Sequence, residues 1–261
     1  MIMKIAIIGG GNLGSSIASG LAASRFVDAK NIRITRRNVQ VIQHLKEKGF
    51  QITNDNNKAV KGADVVILAV KPFQAKEVLE QIHLTQGQIL VSTVTGVWLR
   101  DLTIWAGAGI EVFRAMPNTA IAVRKSMTCI AHGKVQAASA ELVCKLFNQL
   151  GSSVVIDEKL MDAATVVGAC GIAYVMRFIR ACTQGGIQIG FSAQQAALIV
   201  EHTVNGAAAL LLENSTHPEQ EIDKVTTPRG CTIAGLNEME HYGFSSAVIK
   251  GLTASYDKIL E

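Results

Sequence analysis

The residues equipped for chemistry lie near the two ends of the chain. Early on, Gly9-Gly10-Gly11-Asn12-Leu13-Gly14 follows directly on the β-branched run Lys4-Ile5-Ala6-Ile7-Ile8. A GxGxxG between a strand and a helix aims unpaired backbone amides at a pyrophosphate. Gly9 allows the tight turn, Gly11 the close approach of backbone to phosphate, and Gly14 the close seat of helix on strand, with Asn12 and Leu13 opening the helix. About 20 residues beyond the glycines an NAD-binding chain carries an acid for the ribose hydroxyls. This sequence has Thr35-Arg36-Arg37-Asn38 there and no carboxylate. An acid repels a ribose phosphate, whereas guanidinium groups bind it with paired charge-assisted hydrogen bonds. The expected cofactor is therefore NADPH, with NADH as the alternative. Late in the chain, Thr227-Pro228-Arg229-Gly230-Cys231-Thr232 reads as a helix start. Thr227 is a good N-cap and Pro228 a good first helical residue, which leaves the amides of Arg229, Gly230 and Cys231 unpaired. Such a helix start binds anions, and Thr232 brings a hydroxyl about one turn further in.

Stepping from these residues to the elements that carry them, β-branched runs alternate with segments of helical period from residue 4 to about 157, the pattern of a parallel sheet with crossover helices. Strands are expected at 4–9, 32–35, 64–70, 88–94, 110–116, 127–131 and 153–156, and helices at 13–23, 39–48, 73–82 and 135–150. Ligands of open α/β sheets bind at the carboxyl ends of the strands. Ala69, Val70, Lys71 and Pro72 after one strand, and Met116 and Asn118 after another, are thus expected beside the ligands, Met116 at the cofactor and Asn118 as a substrate ligand near the nicotinamide. Pro72 fixes the next helix start, and Lys71 supplies position or positive potential, not a catalytic amine. Beyond 157 the strands cease, and helices are expected at 158–169, 172–190, 193–214, 218–225 and 229–260, broken near Gly243. The expected fold is α/β, a Rossmann-type NADP-binding domain over 1–157 followed by an all-α domain over 158–261. Ala164-Thr165-Val166-Val167 and Ala196-Ala197-Leu198-Ile199-Val200 are apolar around much of a helix, more than a lone surface helix buries. A homo-oligomer that interlocks these helices is expected.

Composition sets the exclusions. With 49% apolar and 18% charged residues in 261, the chain is no disordered segment, and no continuous apolar run reaches the ~18–20 residues of a membrane span. No secretory signal is readable at Met1, so the expected compartment is the cytoplasm. A net charge of +4 from scattered cations gives no nucleic-acid footprint. Five cysteines without a CxxC and six isolated histidines give neither a disulfide framework nor a metal site. Glu238, Glu240 and His241 fall on different faces of a helix and read as solvated.

Four motifs combine in order: the glycine loop, Leu68-Ala69-Val70-Lys71-Pro72, Arg114-Ala115-Met116-Pro117-Asn118-Thr119, and Val225-Thr226-Thr227-Pro228-Arg229-Gly230-Cys231-Thr232. Together they resemble 1-pyrroline-5-carboxylate reductase over nearly the whole chain, Met-Pro-Asn-Thr and Thr-Pro-x-Gly-x-Thr being the specific parts. The resemblance implies NAD(P)H-dependent reduction of a cyclic imine to proline and an oligomer of dimers joined through the helical domain. It also implies that Asn56 touches the cofactor ribose and that Thr232 is the catalytic hydrogen-bond or proton donor. Imine reduction needs a hydride on carbon, a proton on nitrogen and, for this substrate, a held carboxylate. The turn from Thr227 through Arg229, Gly230 and Cys231 would hold the carboxylate, with Thr232 at the ring nitrogen. The reaction needs no nucleophile, so Cys231 packs as a small residue.

The chain departs from the family pattern at Arg229, where a glycine is usual, at 167–174, where Ser-Gly-Ser-Gly-Pro-Ala-Tyr is usual, and at Ala120, where proline is usual. These changes keep open a related imine, such as pyrroline-2-carboxylate or a six-membered ring, with the same residue roles. Arg229 either strengthens carboxylate binding or points to solvent. A non-catalytic dinucleotide-binding sensor is the alternative of another class.

Overall fold

The structure, a computed structural model, describes residues 2–260. Its strands are β1 (Ile5–Ile8), β2 (Ile32–Thr35), β3 (Gln51–Thr53), β4 (Val65–Leu68), β5 (Ile89–Ser92), β6 (Glu111–Met116), β7 (Ser126–His132) and β8 (Gly151–Val155). They form one sheet in the order β3-β2-β1-β4-β5-β6-β7-β8, parallel except where β6 meets β7. The order reverses between β1 and β4, and it is at such a switch point that a doubly wound sheet opens a crevice for ligands.

Helices α1 (Asn12–Ala23), α2 (Gln43–Glu47), α3 (Asn56–Val60), α4 (Pro72–Gln81), α5 (Leu99–Ala106), α6 (Ala137–Asn148) and α7 (Met161–Ala164) accompany the sheet. Successive strand residues face opposite ways, so each strand feeds two cores. On one face Ile5, Ile7 and Ile67 pack with Ile17 and Leu21 of α1 and Leu146 and Phe147 of α6. On the other, Ala6, Ile8 and Val66 pack with Ala75 and Leu79 of α4 and Leu102 of α5. Strands β1, β4 and β5 are buried along their whole length, which is why they read as unbroken apolar runs.

The sequence reading missed β3, the five-residue α3 and α5. Strand β3 is three residues at the sheet edge with one apolar side chain, too short to show a period. Helix α5 buries only Leu99 and Leu102. The helix expected at 39–48 is instead a 3₁₀ turn, Val39–Ile42, followed by the short α2.

Two compact units divide the chain, Met1–Cys170 and Gly171–Glu261, later than the boundary expected near 158. The reason lies in residues 158–170, where Met161 is fully buried in a cluster with Met116 and Ala131 of the sheet. This segment ends in a π-helical turn, Thr165–Cys170.

The second unit is α8 (Gly171–Gln188), α9 (Ala193–Asn214), α10 (Pro218–Lys224), α11 (Cys231–His241) and α12 (Phe244–Leu260). Ser192 and Gln195 cap α9 reciprocally, and Gly243, at φ +76, separates α11 from α12. Among the described residues of this unit only Thr183 and Ala196 are buried, while Ile189, Leu198 and Leu212 are more than half exposed. A unit with so little core of its own needs another surface against it. Two stretches, Glu158–Gln188 and Ala193–Asn214, are long and apolar enough by length and composition to cross a membrane. The sequence reading sought unbroken apolar runs and found none of that length; Arg177, Arg180 and Glu201 interrupt these stretches without cancelling their average hydropathy.

Candidate active site

A cleft of about 740 Å³ opens at the carboxyl ends of β2, β1, β4 and β5. Of the sequence-expected cofactor residues, Gly9, Gly11, Asn12, Leu13, Thr35, Arg36, Arg37, Asn56, Ala69, Val70 and Lys71 line it. Gly9 sits at φ +111, and a Cβ there would collide with the carbonyl of Ala69. Gly14 lies outside the lining, and a Cβ there would strike the carbonyl of Gly9, so its task is to let α1 seat on the loop. At Gly11 a Cβ would meet nothing within 4 Å, which leaves the loop backbone bare to the cleft. A pyrophosphate fits that bareness, and it fits the N-terminal amides of α1 as well, because Gly11 as N-cap has no side chain to accept from them.

The end of β2 is built into the glycine loop. Thr35 accepts from Gly10 N through its carbonyl at 2.6 Å and from Gly9 N through Oγ1 at 3.3 Å. Arg36 donates from Nη1 to the Gly10 carbonyl at 2.6 Å. Arg37, its neighbour, is exposed on the cleft. Two arginines therefore stand together at the β2 end of the cleft, and among the described residues no acid lines it.

Pro72 is the first residue of α4 and stays out of the lining. Met116 is buried beneath the surface with Met161. Asn118 is held at both ends of its carboxamide: Oδ1 accepts from Ala120 N at 3.0 Å, and Nδ2 donates to the Gly168 carbonyl at 3.1 Å. Its backbone N–H donates to Ser126 Oγ at 3.0 Å. The sequence reading overlooked Gly10, Asn38, Gln74, Val78 and Thr93, which also line the cleft. Thr93 was legible as the residue just past β5 at the carboxyl edge, while Gln74 and Val78 face the cleft only because α4 begins beside it.

The loop of the second unit differs locally from expectation. Helix α11 begins at Cys231 with Gly230 as N-cap, and not at Pro228 with Thr227 as N-cap. Residues 227–230 form a turn closed by Gly230 N donating to the Thr227 carbonyl at 2.9 Å. Pro228 fixes its second position and Arg229, at φ +62, its third, the dihedral of a type II turn. A left-handed residue cannot continue a helix, so the helix waits for Cys231. The unpaired donors are consequently the amides of Cys231 and Thr232, while Gly230's amide is spent on the turn. Gly230 has no room for a side chain, since a Cβ would lie 2.5 Å from Thr227 Oγ1. Thr227, Arg229 and Cys231 are exposed and Thr232 is half-buried in the first turn of α11. The unpaired donors expected at Arg229, Gly230 and Cys231 thus move to the first turn of the helix that carries Thr232.

Residues 158–261 match the family model described as pyrroline-5-carboxylate reductase dimerisation, and residues 4–96 that of NADP oxidoreductase, coenzyme F420-dependent. Pyrroline-5-carboxylate reductase 2 of Dictyostelium discoideum is 44% identical over 98% of this chain and 91% of its own length. The chain belongs to the pyrroline-5-carboxylate reductase family. Reductase 1 of the same organism is 46% identical over 97% of this chain, which spans about half that relative's length, 49%. A solved member, pyrroline carboxylate reductase of Plasmodium falciparum with NADP bound, is 26% identical and superposes with a TM-score of 0.86, covering 98% of this chain and 97% of its own. The Rossmann-type fold with a following helical dimerisation domain is thus the family's fold.

Proposed function

We propose that this chain reduces 1-pyrroline-5-carboxylate to L-proline, an oxidoreductase acting on a CH–NH bond. The observation that carries the reading is the joint presence, in a member of this family, of a bare glycine-loop cleft with arginines at its β2 end and an anion-receiving helix start that bears Thr232. The Plasmodium relative is described with NADP bound; here the reduced form, NADPH, supplies the hydride when bound, and NADH is the alternative donor. Gly9, Gly11, Asn12, Leu13 and the start of α1 hold the pyrophosphate. Arg36 and Arg37 take the ribose phosphate, Asn56 the ribose, and Ala69, Val70 and Lys71 the far wall. The amides of Cys231 and Thr232 hold the substrate carboxylate, with Thr227 and Gly230 setting the turn before them. The Thr232 hydroxyl donates a hydrogen bond to the ring nitrogen and relays to it a proton taken from water, so that Thr232 ends the step still protonated and the water is left as hydroxide to be neutralised by solvent.

The helical domain, from about residue 158, joins copies of the chain into a homodimer and dimers into a larger assembly. Its sparse core supports the first step, because a second copy can cover Leu198 and Leu212 without any membrane. Five free cysteines suit a reducing cytoplasm, and nucleic acid has no part in the chemistry.

A second reading, a related cyclic imine, is favoured by Arg229, an exposed cation on the turn where the family carries glycine. The test for both is NADPH absorbance during incubation with each candidate imine, followed by identification of the amino acid formed. Fastest consumption with 1-pyrroline-5-carboxylate and proline as product supports the proposal; a faster six-membered imine transfers it to the second reading; no turnover with any imine removes the reductase reading.

A further inference from the structure

Two tethers fasten residues 158–170 to the line of β6. At the start of the segment, Glu158 Oε1 accepts from Arg114 Nη1 at 3.1 Å and from the backbone N–H of Leu99 at 2.5 Å. At the other end, the Gly168 carbonyl accepts from Asn118, two residues past β6. Between them Met161 packs on Met116. Arg114 is 2% exposed, its guanidinium lies 5.6 Å from the Trp98 ring centroid, and its Nε has no partner. Nothing in the proposed chemistry uses this buried cation.

A buried ion pair contributes little net stability, because desolvating both charges consumes most of the attraction; an apolar pair of similar volume would hold β6 to α5 as well or better. What the pair supplies is a single arrangement. One carboxylate oxygen fixes β6, the N-terminus of α5 and the first residue of the segment relative to one another. What it fixes can otherwise rearrange. The π-helical turn Thr165–Cys170 holds one more residue per hydrogen-bonded loop than an α-helix, and such turns are frequent at functional sites.

The place of the turn follows from the sheet. The cleft runs from the β2 arginines past β1 and β4 to Thr93 after β5, and β6 is the next strand in the sheet. A dinucleotide with its ribose phosphate at β2 and its pyrophosphate at β1 therefore brings its nicotinamide toward the carboxyl end of β6, where Asn118 holds Gly168. We propose that Arg114 and Glu158 are positioning residues for hydride transfer: they fix the 158–170 segment so that the π turn and Asn118 present one surface at the nicotinamide end of the cleft. The inference rests on the reductase reading, and it reassigns Asn118 from substrate ligand to part of the same brace.

The test uses the full-length enzyme. Glu158→Gln keeps an oxygen acceptor for both donors, and Glu158→Asp keeps the charge but withdraws it by one methylene. At saturating substrate, Glu158→Asp is expected to lower kcat at least tenfold with the KM for NADPH within twofold, and Glu158→Gln to stay within about threefold of wild type. Hydrogen exchange at residues 165–170 is expected to quicken in Glu158→Asp alone. Should Glu158→Asp not fold, Arg114→Lys, which keeps the charge and loses the planar fork, is expected to show the same loss of kcat and faster exchange. A folded Glu158→Asp or Arg114→Lys with a lower melting temperature but unchanged kcat and unchanged exchange overturns the proposal, since that is the signature of a merely structural pair. A wild-type enzyme inert toward every imine is a separate result, counting against the reductase reading; the exchange measurement then still decides whether the pair fixes the turn.

Discussion

Arg36 donates to the carbonyl of Gly10 across 2.6 Å, so the first of the two arginines at the end of β2 is a strut of the glycine loop as well as a cation beside it. Its neighbour Arg37 is exposed on the same cleft. The two side chains, adjacent in sequence and alike in charge, do different work.

The consequence is a split between two substitutions. Arg37→Ala removes a charge-assisted contact to the ribose phosphate, worth about 1.5–3 kcal/mol, and should raise the KM for NADPH by about tenfold or more while leaving that for NADH nearly unchanged. Arg36→Ala also loosens the loop that both cofactors share, and should raise both values. Steady-state kinetics with each cofactor checks this; equal effects of Arg37→Ala on the two would remove its phosphate role.

In the proposed mechanism Thr232 serves the protonation step, so Thr232→Ala should cut kcat by about 10²-fold, the usual scale for a positioned acid. Binding of NADPH, followed by its fluorescence, should not change, because the glycine loop and the β2 arginines are untouched.

Thiol chemistry should sort the cysteines by burial. Cys231 is exposed, whereas burial pushes the Cys129 thiol above its ordinary pKa. A raised pKa means less thiolate at any given pH, so Cys129 should gain reactivity only as pH climbs beyond the ordinary thiol range. Peptide mapping after timed iodoacetamide treatment should find Cys231 alkylated first, and a proline analogue should slow that modification if the start of α11 holds the carboxylate.

The helical unit should fail without its partner copy. Leu198→Glu places a charge on α9 where the side chain is 57% exposed in the single chain. Buried against a second copy that charge is unpaired, so size-exclusion chromatography should show a smaller species and thermal melting a loss of several degrees.

How far the sequence was readable follows from the kind of signal each feature leaves. The glycine loop, the fully buried strands and Gly243 were legible because each leaves a local mark: a spacing, an apolar run, a breaker between helices. Strand β3 leaves none, as a three-residue edge strand borrows its stability from Arg33, Ile34 and Thr35 beside it. The start of α11 was misplaced because Thr-Pro is both a good helix cap and a good turn opening. Only the left-handed Arg229, where sequence preference argues for glycine, settles it as a turn. Asn118 was visible as a residue past a strand, but its partners Gly168 and Ala120 include one fifty residues away. The same distance hid Arg114 and Glu158, since a pair 44 residues apart has no sequence period.

The central claim is that the amides opening α11 seize a carboxylate while the imine beside it is reduced. Comparing kcat/KM for 1-pyrroline-5-carboxylate with that for 1-pyrroline, which has the ring and lacks the acid, tests it most directly. A site built to hydrogen-bond a group rejects the analogue without it by about 10⁴-fold or more when fully buried, so a ratio of at least about 10² is expected at this half-exposed turn. Equal values for the two imines would contradict the account.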